Sequence, residues 1–359
     1  MGARRVRAEG GRVKTAAWPR DETEAERLLV VDPARGALAD FAIRDLPGRL
    51  RRGDLLVVND AATLPGSLEG RVAGSPIEVR LVGPAEQGTW TAALFGAGNW
   101  RWRTEDRPAP PVLVPGSTLV FDRPAGAAPP LRAEVVGVSE VSPRLVRLRF
   151  DRDGDALWSA LYRRGRPVQY SYVRAPLALW HVQTAYASRP WAAEPPSAGR
   201  PLTWRVLGEA RRRGVALAAV THAAGLSSVG DPRLDAALPL PEVFDIPAAT
   251  VTAVQRAHAA GGRVVAVGTT VVRALEGAAE GGALRAGEGR TTLRIDGRFR
   301  PRVVDGILTG VHQPGESHFE LLRAFAPEAL LRRALAHAER EGYLAHEFGD
   351  SSLILPRSL

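Results

Sequence analysis

Residues 264–276 read VVAVGTTVVRALE and join an apolar run to the start of a helical pattern. The apolar run stops at Gly268, and apolar residues then return with helical spacing. We predict strand 264–267, a tight turn and a helix over 271–279. The free N–H groups of such a helix start, together with the hydroxyls of Thr269 and Thr270, suit a nucleotide, a carboxylate or a phosphate. An ordinary strand–helix junction fits the same pattern.

Strands and helices also alternate around this segment. Apolar runs at 28–31, 55–58 and 215–220 are typical of buried strands, and helical patterns occupy 250–260, 318–325 and 327–341. Between about 64 and 150, short β-rich runs are separated by Gly/Pro turns, which predicts a small antiparallel barrel. The predicted fold class is therefore α/β (α+β). It comprises a disordered leader over 1–24, a larger α/β domain over 25–62 and 152–359, and an inserted β-barrel domain over 63–151.

Composition narrows the class of protein. The chain has 359 residues, long enough for two domains, with 45% hydrophobic and 24% charged residues, as in soluble globular proteins. No apolar run approaches the roughly 20 residues of a membrane span. No apolar core follows the basic N-terminus, so we expect no secretory signal there. Cysteine is absent, which excludes disulfides, iron–sulfur clusters and a thiol nucleophile. We expect a cytoplasmic protein and a monomer.

The formal net charge of +9 would attract a polyanion such as RNA. Lys14 is the single lysine, however, so arginine carries almost all of the positive charge. A GC-rich genome produces Arg-rich, Ala-rich chains whatever their function. Charge alone therefore leaves nucleic-acid binding open.

Two histidines each follow an apolar strand. His222 comes after 215–220 and His312 comes after the strand-like run 304–309. Polar residues at the carboxyl ends of strands are frequent site positions in α/β folds. Imidazoles with tuned pKa values suit general acid–base chemistry. Glu316 lies nearby, at the predicted start of a helix, where helix capping by the acidic residue is the alternative, with Ser317 as a candidate N-cap.

Several motifs occur in a recognisable order along the chain. They are RLLVVD at 27–32, GDLLVVND at 53–60, QTAYA at 183–187, PSAG at 196–199, VAVGTT at 264–270 (with the preceding valine), VDGILT at 304–309, His312 with Pro314, and FGD at 348–350. Together they resemble the S-adenosylmethionine:tRNA ribosyltransferase-isomerases of queuosine biosynthesis, over roughly residues 27 to 355. That family has a small β-barrel set into an α/β domain.

The resemblance implies an enzyme that is both a transferase and an isomerase. It would move the ribosyl part of S-adenosylmethionine onto the aminomethyl group of a 7-deazaguanine in tRNA, forming epoxyqueuosine. S-adenosylmethionine is the co-substrate and no metal is expected. Such a reaction needs groups that accept protons from the carbon beside the sulfonium and from the attacking amine. The target base must also be unstacked and held in a pocket.

The resemblance and the residue patterns together yield candidate site residues in three groups. The acid–base candidates are His222, His312, Glu242 and Glu316. The expected S-adenosylmethionine-binding residues are Gly268, Thr269, Thr270, Arg273, Glu276, Asp305, Gly349 and Asp350. The expected substrate or RNA contacts are Asn59, Asp60, Tyr172 and Arg174. His258 is expected to pack on the apolar face of its helix.

The chain departs from the family pattern in several loops. A family His-x-Met-His-x-Glu element is ALPLPE at 237–242, where Glu242 alone matches. The PSAG segment continues with Arg200-Pro201-Leu202 where the family has Leu-His-Phe, and an arginine expected near Ser67 is missing. A family Lys-Ser-Thr-Leu stretch reads Gly-Glu-Ser-His at 315–318.

Because the changes cluster in predicted site loops, three hypotheses follow. The first is the family reaction, carried out by a divergent member. The second is a divergent paralogue that uses S-adenosylmethionine with a different, small-molecule acceptor. The third is a non-catalytic nucleotide- or RNA-binding protein.

Overall fold

The computed structural model describes residues 13–122 and 129–359. The strands are β1 Lys14–Thr15, β2 Arg27–Asp32, β3 Ala37–Ala42, β4 Leu55–Asn59, β5 Ser67–Val72, β6 Ser75–Pro84, β7 Trp90–Phe95, β8 Thr118–Phe121, β9 Leu131–Val138, β10 Leu145–Phe150, β11 Ala216–His222, β12 Glu242–Ile246, β13 Val264–Val267, β14 Gly287–Thr291, β15 Gly306–Gly310, β16 Leu344–Ala345 and β17 Ser351–Ile354. The α-helices are α1 Gly154–Arg164, α2 Trp204–Arg212, α3 Pro232–Ala237, α4 Ala248–Ala259, α5 Thr269–Ala278, α6 Ser317–Leu322 and α7 Glu328–Arg340.

A nine-stranded mixed sheet forms the larger layer, in the order β14-β12-β11-β4-β13-β15-β17-β2-β3. Its centre is parallel: β11, β4, β13 and β15 run in one direction. Strand β12 pairs antiparallel with β11, and β17 pairs antiparallel with β15. The carboxyl ends of the four parallel strands therefore share one edge with the amino ends of β12 and β17.

Both faces of this sheet are buried, because alternate strand residues enter two different cores. On one face Val264, Ala266 and Ile307 pack with α4, α5, α6 and α7. On the other face Val265 and Leu308 pack with α2 and with the short helix Ile43–Gly48. Near-continuous apolar runs in the sequence reflect this two-sided burial.

The second layer is a closed antiparallel barrel of six strands, in the order β10-β7-β6-β5-β8-β9. All six strands lie between Ser67 and Phe150. Leu157 and Leu161 of α1 close the barrel core, which contains Leu94, Phe121 and Leu148 among others. The predicted α/β fold with a small antiparallel barrel is confirmed. The predicted domain limits stay a proposal.

The chain before β2 differs from the predicted leader. Residues 1–12 lie outside the described part of the chain. From residue 13 onward the backbone is ordered: β1 pairs in parallel with β16, and Val13 is buried in the main core. Apolar Val13 and Ala16 account for this, because each covers core surface that would otherwise face water. Within residues 13–122 and 129–359, every helix is too short or too polar to cross a bilayer.

Candidate active site

The carboxyl edge of the parallel strands collects five predicted site residues. Asn59 ends β4 and His222 ends β11. Gly268 follows β13, His312 follows β15, and Glu242 begins β12. Because these strands are neighbours in the sheet, residues from five separate parts of the sequence meet along one edge. In open α/β sheets this edge is where ligands bind.

Helix α5 starts at this edge with an open N-terminus. Gly268 is its N-cap residue with φ +93°, a conformation that residues with a Cβ rarely adopt. A Cβ at this position would also lie 3.4 Å from Cβ of Ala198. Because glycine offers no side-chain oxygen, the first-turn N–H groups of α5 are left for water or a ligand. Thr269 and Thr270 add two hydroxyls beside them.

His222, Glu242 and Arg273 form a buried cluster next to this turn. Glu242 Oε2 lies 2.5 Å from Arg273 Nη1 and 3.2 Å from His222 Nε2. The other carboxylate oxygen accepts the backbone N–H of Gly225 at 3.2 Å. The side chains of His222, Glu242 and Arg273 are 0%, 9% and 12% exposed, so the cluster is sealed at His222 and reaches the surface at Arg273.

Four polar atoms of this cluster lack an aligned hydrogen-bond partner among the described residues. They are both ring nitrogens of His222, Oε2 of Glu242 and Nη2 of Arg273. The 2.5 Å contact of Glu242 with Arg273 is thus an ion pair without hydrogen-bond alignment. Each buried polar atom without a partner costs roughly 1–3 kcal/mol. Such a concentration is typical of a site that is completed by a ligand or by bound water.

Burial controls protonation in this cluster. It lowers the pKa of His222 to about 3, helped by the positive charge of Arg273, so the imidazole is neutral at physiological pH. Burial also raises the pKa of Glu242, against the opposing effects of Arg273 and the Gly225 N–H. The pKa of Arg273 is lowered, again chiefly by burial. His222 is therefore a hydrogen-bonding group rather than a ready proton acceptor.

A second cluster surrounds His312. Its Nε2 lies 2.9 Å from Oγ1 of Thr309, and its Nδ1 lies 3.6 Å from Oε2 of Glu316. The ring of His318 lies against it, with centroids 4.8 Å apart and planes inclined by 32°. The Thr309 hydroxyl and the Glu316 carboxylate thus lie beside the two different ring nitrogens.

Glu316 occupies the N-cap position of α6, but its side chain makes no capping hydrogen bond to the first turn. Its carboxylate lies near His312 and accepts the N–H of Gln313 at 3.0 Å. Ser317 is the first helical residue, not the N-cap. Burial disfavours the ionised carboxylate, but His312 and the Gln313 N–H outweigh it and lower the pKa of Glu316.

Residues of both clusters influence His318. Burial lowers the pKa of His318 to about 3, His312 and Arg273 add to this effect, and Glu316 opposes it. Arg273 thus acts electrostatically on both His222 and His318. Neither ring nitrogen of His318 has a hydrogen-bond partner in the part of the chain described. His318 belongs to the Gly-Glu-Ser-His stretch at 315–318 that departs from the family pattern.

The structure does not bring two predicted S-adenosylmethionine-binding residues, Glu276 and Asp305, to this edge. The carboxylate of Glu276 accepts backbone N–H groups of Arg302, Val303 and Val304 at 2.9–3.2 Å, and it secures the loop before β15. Asp305 precedes β15, at the opposite edge of the sheet. Helix α5 carries Glu276 away from the turn, and the polarity of β15 separates Asp305 from His312.

His258 also differs from its predicted packing role. It is exposed on α4, and its Nε2 lies 3.2 Å from Oδ2 of Asp305. The same carboxylate oxygen accepts the N–H of Val264. Asp305 therefore fastens α4 to the start of β13.

Gly349 and Asp350 lie at the correct edge but serve the fold. Oδ1 of Asp350 accepts the N–H of Arg27 at 2.9 Å and pairs with Arg20 at 2.5 Å. Its Oδ2 accepts the N–H of Leu344 at 2.7 Å. A Cβ on Gly349 would lie 2.5 Å from the carbonyl oxygen of Leu344. Both carboxylate oxygens are occupied, so the predicted contact of Asp350 with ribose is not available in this arrangement.

Asn59 is buried and bonded within the protein, so its predicted contact with substrate or RNA stays a prediction. Its Nδ2 donates to the carbonyl of His222 at 3.0 Å and to Oγ1 of Thr270 at 3.3 Å. Its Oδ1 accepts the N–H groups of His222 and Ala61. The amide thus fixes β4, β11 and the start of α5 relative to one another.

The other three predicted substrate contacts are accessible. Asp60 is half-buried and accepts the hydroxyl of Thr221 at 2.5 Å. Tyr172 donates to Glu347, and its ring lies parallel to that of Tyr170 with centroids 6.1 Å apart. Arg174 is exposed, with its guanidinium 5.2 Å from the ring of Trp18.

Sequence reasoning missed Glu194, which adjoins the first cluster. Its carboxylate accepts the hydroxyl of Tyr170 and the N–H of Ser227, and its negative charge helps to raise the pKa of Glu242. A single glutamate before two prolines carries no recognisable motif. No group of three or more His, Asp or Glu residues is placed to hold a metal ion within 13–122 and 129–359.

Comparison with known proteins agrees with the resemblance seen in the motifs. The model of the family described as "Queuosine biosynthesis protein" matches residues 12–354. An S-adenosylmethionine:tRNA ribosyltransferase-isomerase of Thermus thermophilus is 37% identical over 348 residues, covering 94% of each chain. One from Acidithiobacillus ferrooxidans is 34% identical, covering 95% of this chain and 94% of the relative.

A solved structure shows a similar fold. The crystal structure of S-adenosylmethionine tRNA ribosyltransferase from Thermotoga maritima is 25% identical and has a TM-score of 0.52. The match covers 95% of this chain and 96% of that chain. With the family model matching nearly the whole sequence, this chain belongs to the queuosine biosynthesis family of S-adenosylmethionine:tRNA ribosyltransferase-isomerases.

Proposed function

We propose that this chain transfers and isomerises the ribosyl moiety of S-adenosylmethionine onto a 7-aminomethyl-7-deazaguanine in tRNA. One observation carries the proposal. The edge of the sheet that bears the family motifs also holds four buried polar atoms of His222, Glu242 and Arg273 that lack an aligned hydrogen-bond partner among the described residues. Family membership supplies the reaction, and this edge supplies groups that are unsatisfied without a ligand.

The start of α5 suits S-adenosylmethionine. Gly268 allows close approach of a ligand to the backbone, and the first-turn N–H groups can donate to a carboxylate or to ribose oxygens. Thr269 and Thr270 would add hydroxyl contacts. Asn59 holds this turn in place through its hydrogen bond to Thr270. Bound there, S-adenosylmethionine supplies the ribosyl group and two leaving groups, adenine and methionine.

His312 is the best placed residue for proton transfer. The Glu316 carboxylate lies beside its Nδ1, and the Thr309 hydroxyl fixes the ring through Nε2. The four acid–base candidates thus divide into two kinds. His312 and Glu316 would move a proton, whereas the neutral His222 with Glu242 would bind and orient the substrate.

The accessible residues Asp60, Tyr172 and Arg174 lie outside these clusters and would contact the tRNA. The net charge of +9 favours such a polyanion, and binding through arginine predicts affinity that falls as salt rises. Tyr172, with its ring nearly parallel to that of Tyr170, would form part of an aromatic wall for an unstacked base. Binding of tRNA that is insensitive to salt would contradict this part of the proposal.

Adenine release from S-adenosylmethionine tests the proposal directly. Purified protein would be incubated with tRNA that carries the aminomethyl-deazaguanine base, with tRNA that lacks it, and without RNA. The proposal predicts release in the first reaction alone. Release without RNA would identify a paralogue with another acceptor. No release in any reaction, with S-adenosylmethionine still bound, would identify a non-catalytic binding protein.

A further inference from the structure

The cluster of His222, Glu242 and Arg273 has a distinct hydrogen-bonding character. Glu242 presents an acceptor oxygen without an aligned donor, and Arg273 presents a donor, Nη2, without an acceptor. The two side chains lie against each other at 2.5 Å, so acceptor and donor are side by side. Their opposite charges cancel, which suits an uncharged planar partner more than an ion.

A guanine-type base carries the matching groups on one edge. Its N1–H and 2-amino group are donors, and the neighbouring carbonyl oxygen is an acceptor. A carboxylate can accept the two donors while a guanidinium donates to the carbonyl, and flipped bases are often recognised through this edge. We propose that Glu242 and Arg273 form the subsite that recognises the guanine edge of the acceptor base, with His222 as its buried wall.

The surroundings of the cluster support the acceptor rather than S-adenosylmethionine as the occupant. The segment over it, residues 223–241, is joined to the barrel, since Ser142 of the barrel donates to Asp231 at 2.7 Å. Leu226 and Leu234 of the same segment pack with Phe95 of the barrel. Residues 223–241, which lead from β11 to Glu242, are thus in contact with the barrel.

This inference rests on the proposed function for the identity of the acceptor, but its test measures binding and not turnover. Two anticodon stem–loop RNAs would be compared, one with guanosine and one with inosine at the wobble position. They differ by the 2-amino group alone. We expect the wild-type protein to bind the guanosine RNA about tenfold more tightly, since a good bidentate contact gives roughly 5- to 150-fold discrimination.

The variant Glu242→Gln tests the residue. Glutamine replaces one carboxylate oxygen by a donor, so the variant is expected to bind both RNAs equally, with the affinity of wild type for inosine RNA. Its affinity for S-adenosylmethionine should stay within about twofold of wild type. Glu280→Gln, an exposed change beyond the end of α5, is the matched control and should preserve the discrimination.

Two results would overturn the inference. One is equal binding of the two RNAs by the wild-type protein, which decides the matter even if Glu242→Gln does not fold. The other is a variant that loses affinity for S-adenosylmethionine but keeps its preference for guanosine, because the cluster would then hold adenine. Discrimination of the RNAs without any adenine release would leave this subsite standing and remove the proposed reaction instead.

Discussion

The variant Glu276→Gln tests whether the carboxylate of Glu276 stabilises the fold or binds a ligand. The carboxylate of Glu276 is buried and receives the N–H groups of Arg302, Val303 and Val304, with Arg302 contacting both oxygens. Hydrogen bonds to a charged group contribute roughly 1.5–3 kcal/mol, and neutral ones roughly 0.5–1.5 kcal/mol. Three bonds weakened by about 1 kcal/mol each, less the saving from not burying a charge, predict a loss of about 2 kcal/mol in unfolding free energy.

Urea unfolding followed by tryptophan fluorescence would measure this loss, and calorimetry would measure the affinity for S-adenosylmethionine. We expect a lower unfolding midpoint with the dissociation constant of the folded variant unchanged. Glu280, four residues after Glu276 in sequence, is exposed, so the control variant Glu280→Gln should change neither the unfolding midpoint nor the dissociation constant. Unchanged stability together with weakened binding of S-adenosylmethionine would refute the reasoning and return Glu276 to the ligand site.

Three further predictions concern the sheet edge. Gly268→Ala places a Cβ on a residue with φ +93° and directs it toward Ala198, so binding of S-adenosylmethionine should weaken at least about tenfold. The control Gly261→Ala is also strained, at φ +71°, but has open space around it. It should cost a similar roughly 1–2 kcal/mol in stability and leave binding intact. His222 has a pKa of about 3 when folded and an ordinary value of 6.5 when unfolded. Between these values the unfolded chain binds a proton that the folded chain does not, so stability falls as pH drops from 6.5 toward 3, by up to about 1.4 kcal/mol per pH unit. Urea unfolding of His222→Asn at several pH values should show a weaker dependence of unfolding free energy on pH, and an unchanged dependence would contradict the assignment. His312→Gln should lower kcat by about 10²–10⁴-fold with little change in KM, and a KM effect alone would show that His312 only binds substrate.

The predictable parts of the fold were those governed by local pattern. Strand 264–267 matches β13, and the predicted strand at 55–58 lies within β4. Their β-branched runs fill two-sided cores, so their composition is strongly constrained. Strands β3 and β5 were not predicted. Their residues, ALADFA and SLEGRV, are partly exposed or polar and have weak alternation.

The candidate site shows a similar division. Residues at the carboxyl ends of strands, such as His222 and Gly268, were found because strand polarity places them at one edge. Glu276 and Asp305 do not reach this edge, because closeness in sequence to a motif does not give the direction of a helix or strand. Glu194 was missed because its environment arises from contacts with Tyr170 and Ser227, which lie far from it in sequence, and a single sequence does not encode such contacts locally.

The departures from the family pattern now have a structural context. Glu242, the one matching residue of its element, forms the ion pair with Arg273 at the edge of the buried cluster. Arg200, in place of a family leucine, pairs with buried Glu26 at 2.8 Å, and Glu26 also accepts the hydroxyl of Ser351. Burial raises the pKa of Glu26 to about 7 against the attraction of Arg200. This ion pair joins the 196–199 loop to the start of β2 and to Ser351 of β17.

The central claim is that the carboxyl edge of this sheet catalyses ribosyl transfer from S-adenosylmethionine to a modified tRNA. The most direct measurement is chromatographic quantification of adenine released from S-adenosylmethionine, with tRNA that carries or lacks the aminomethyl-deazaguanine base. Adenine release is expected to require the modified tRNA and to be lost in the variant His312→Gln. Adenine release at the same rate without the modified base, or none while both substrates bind, would contradict it.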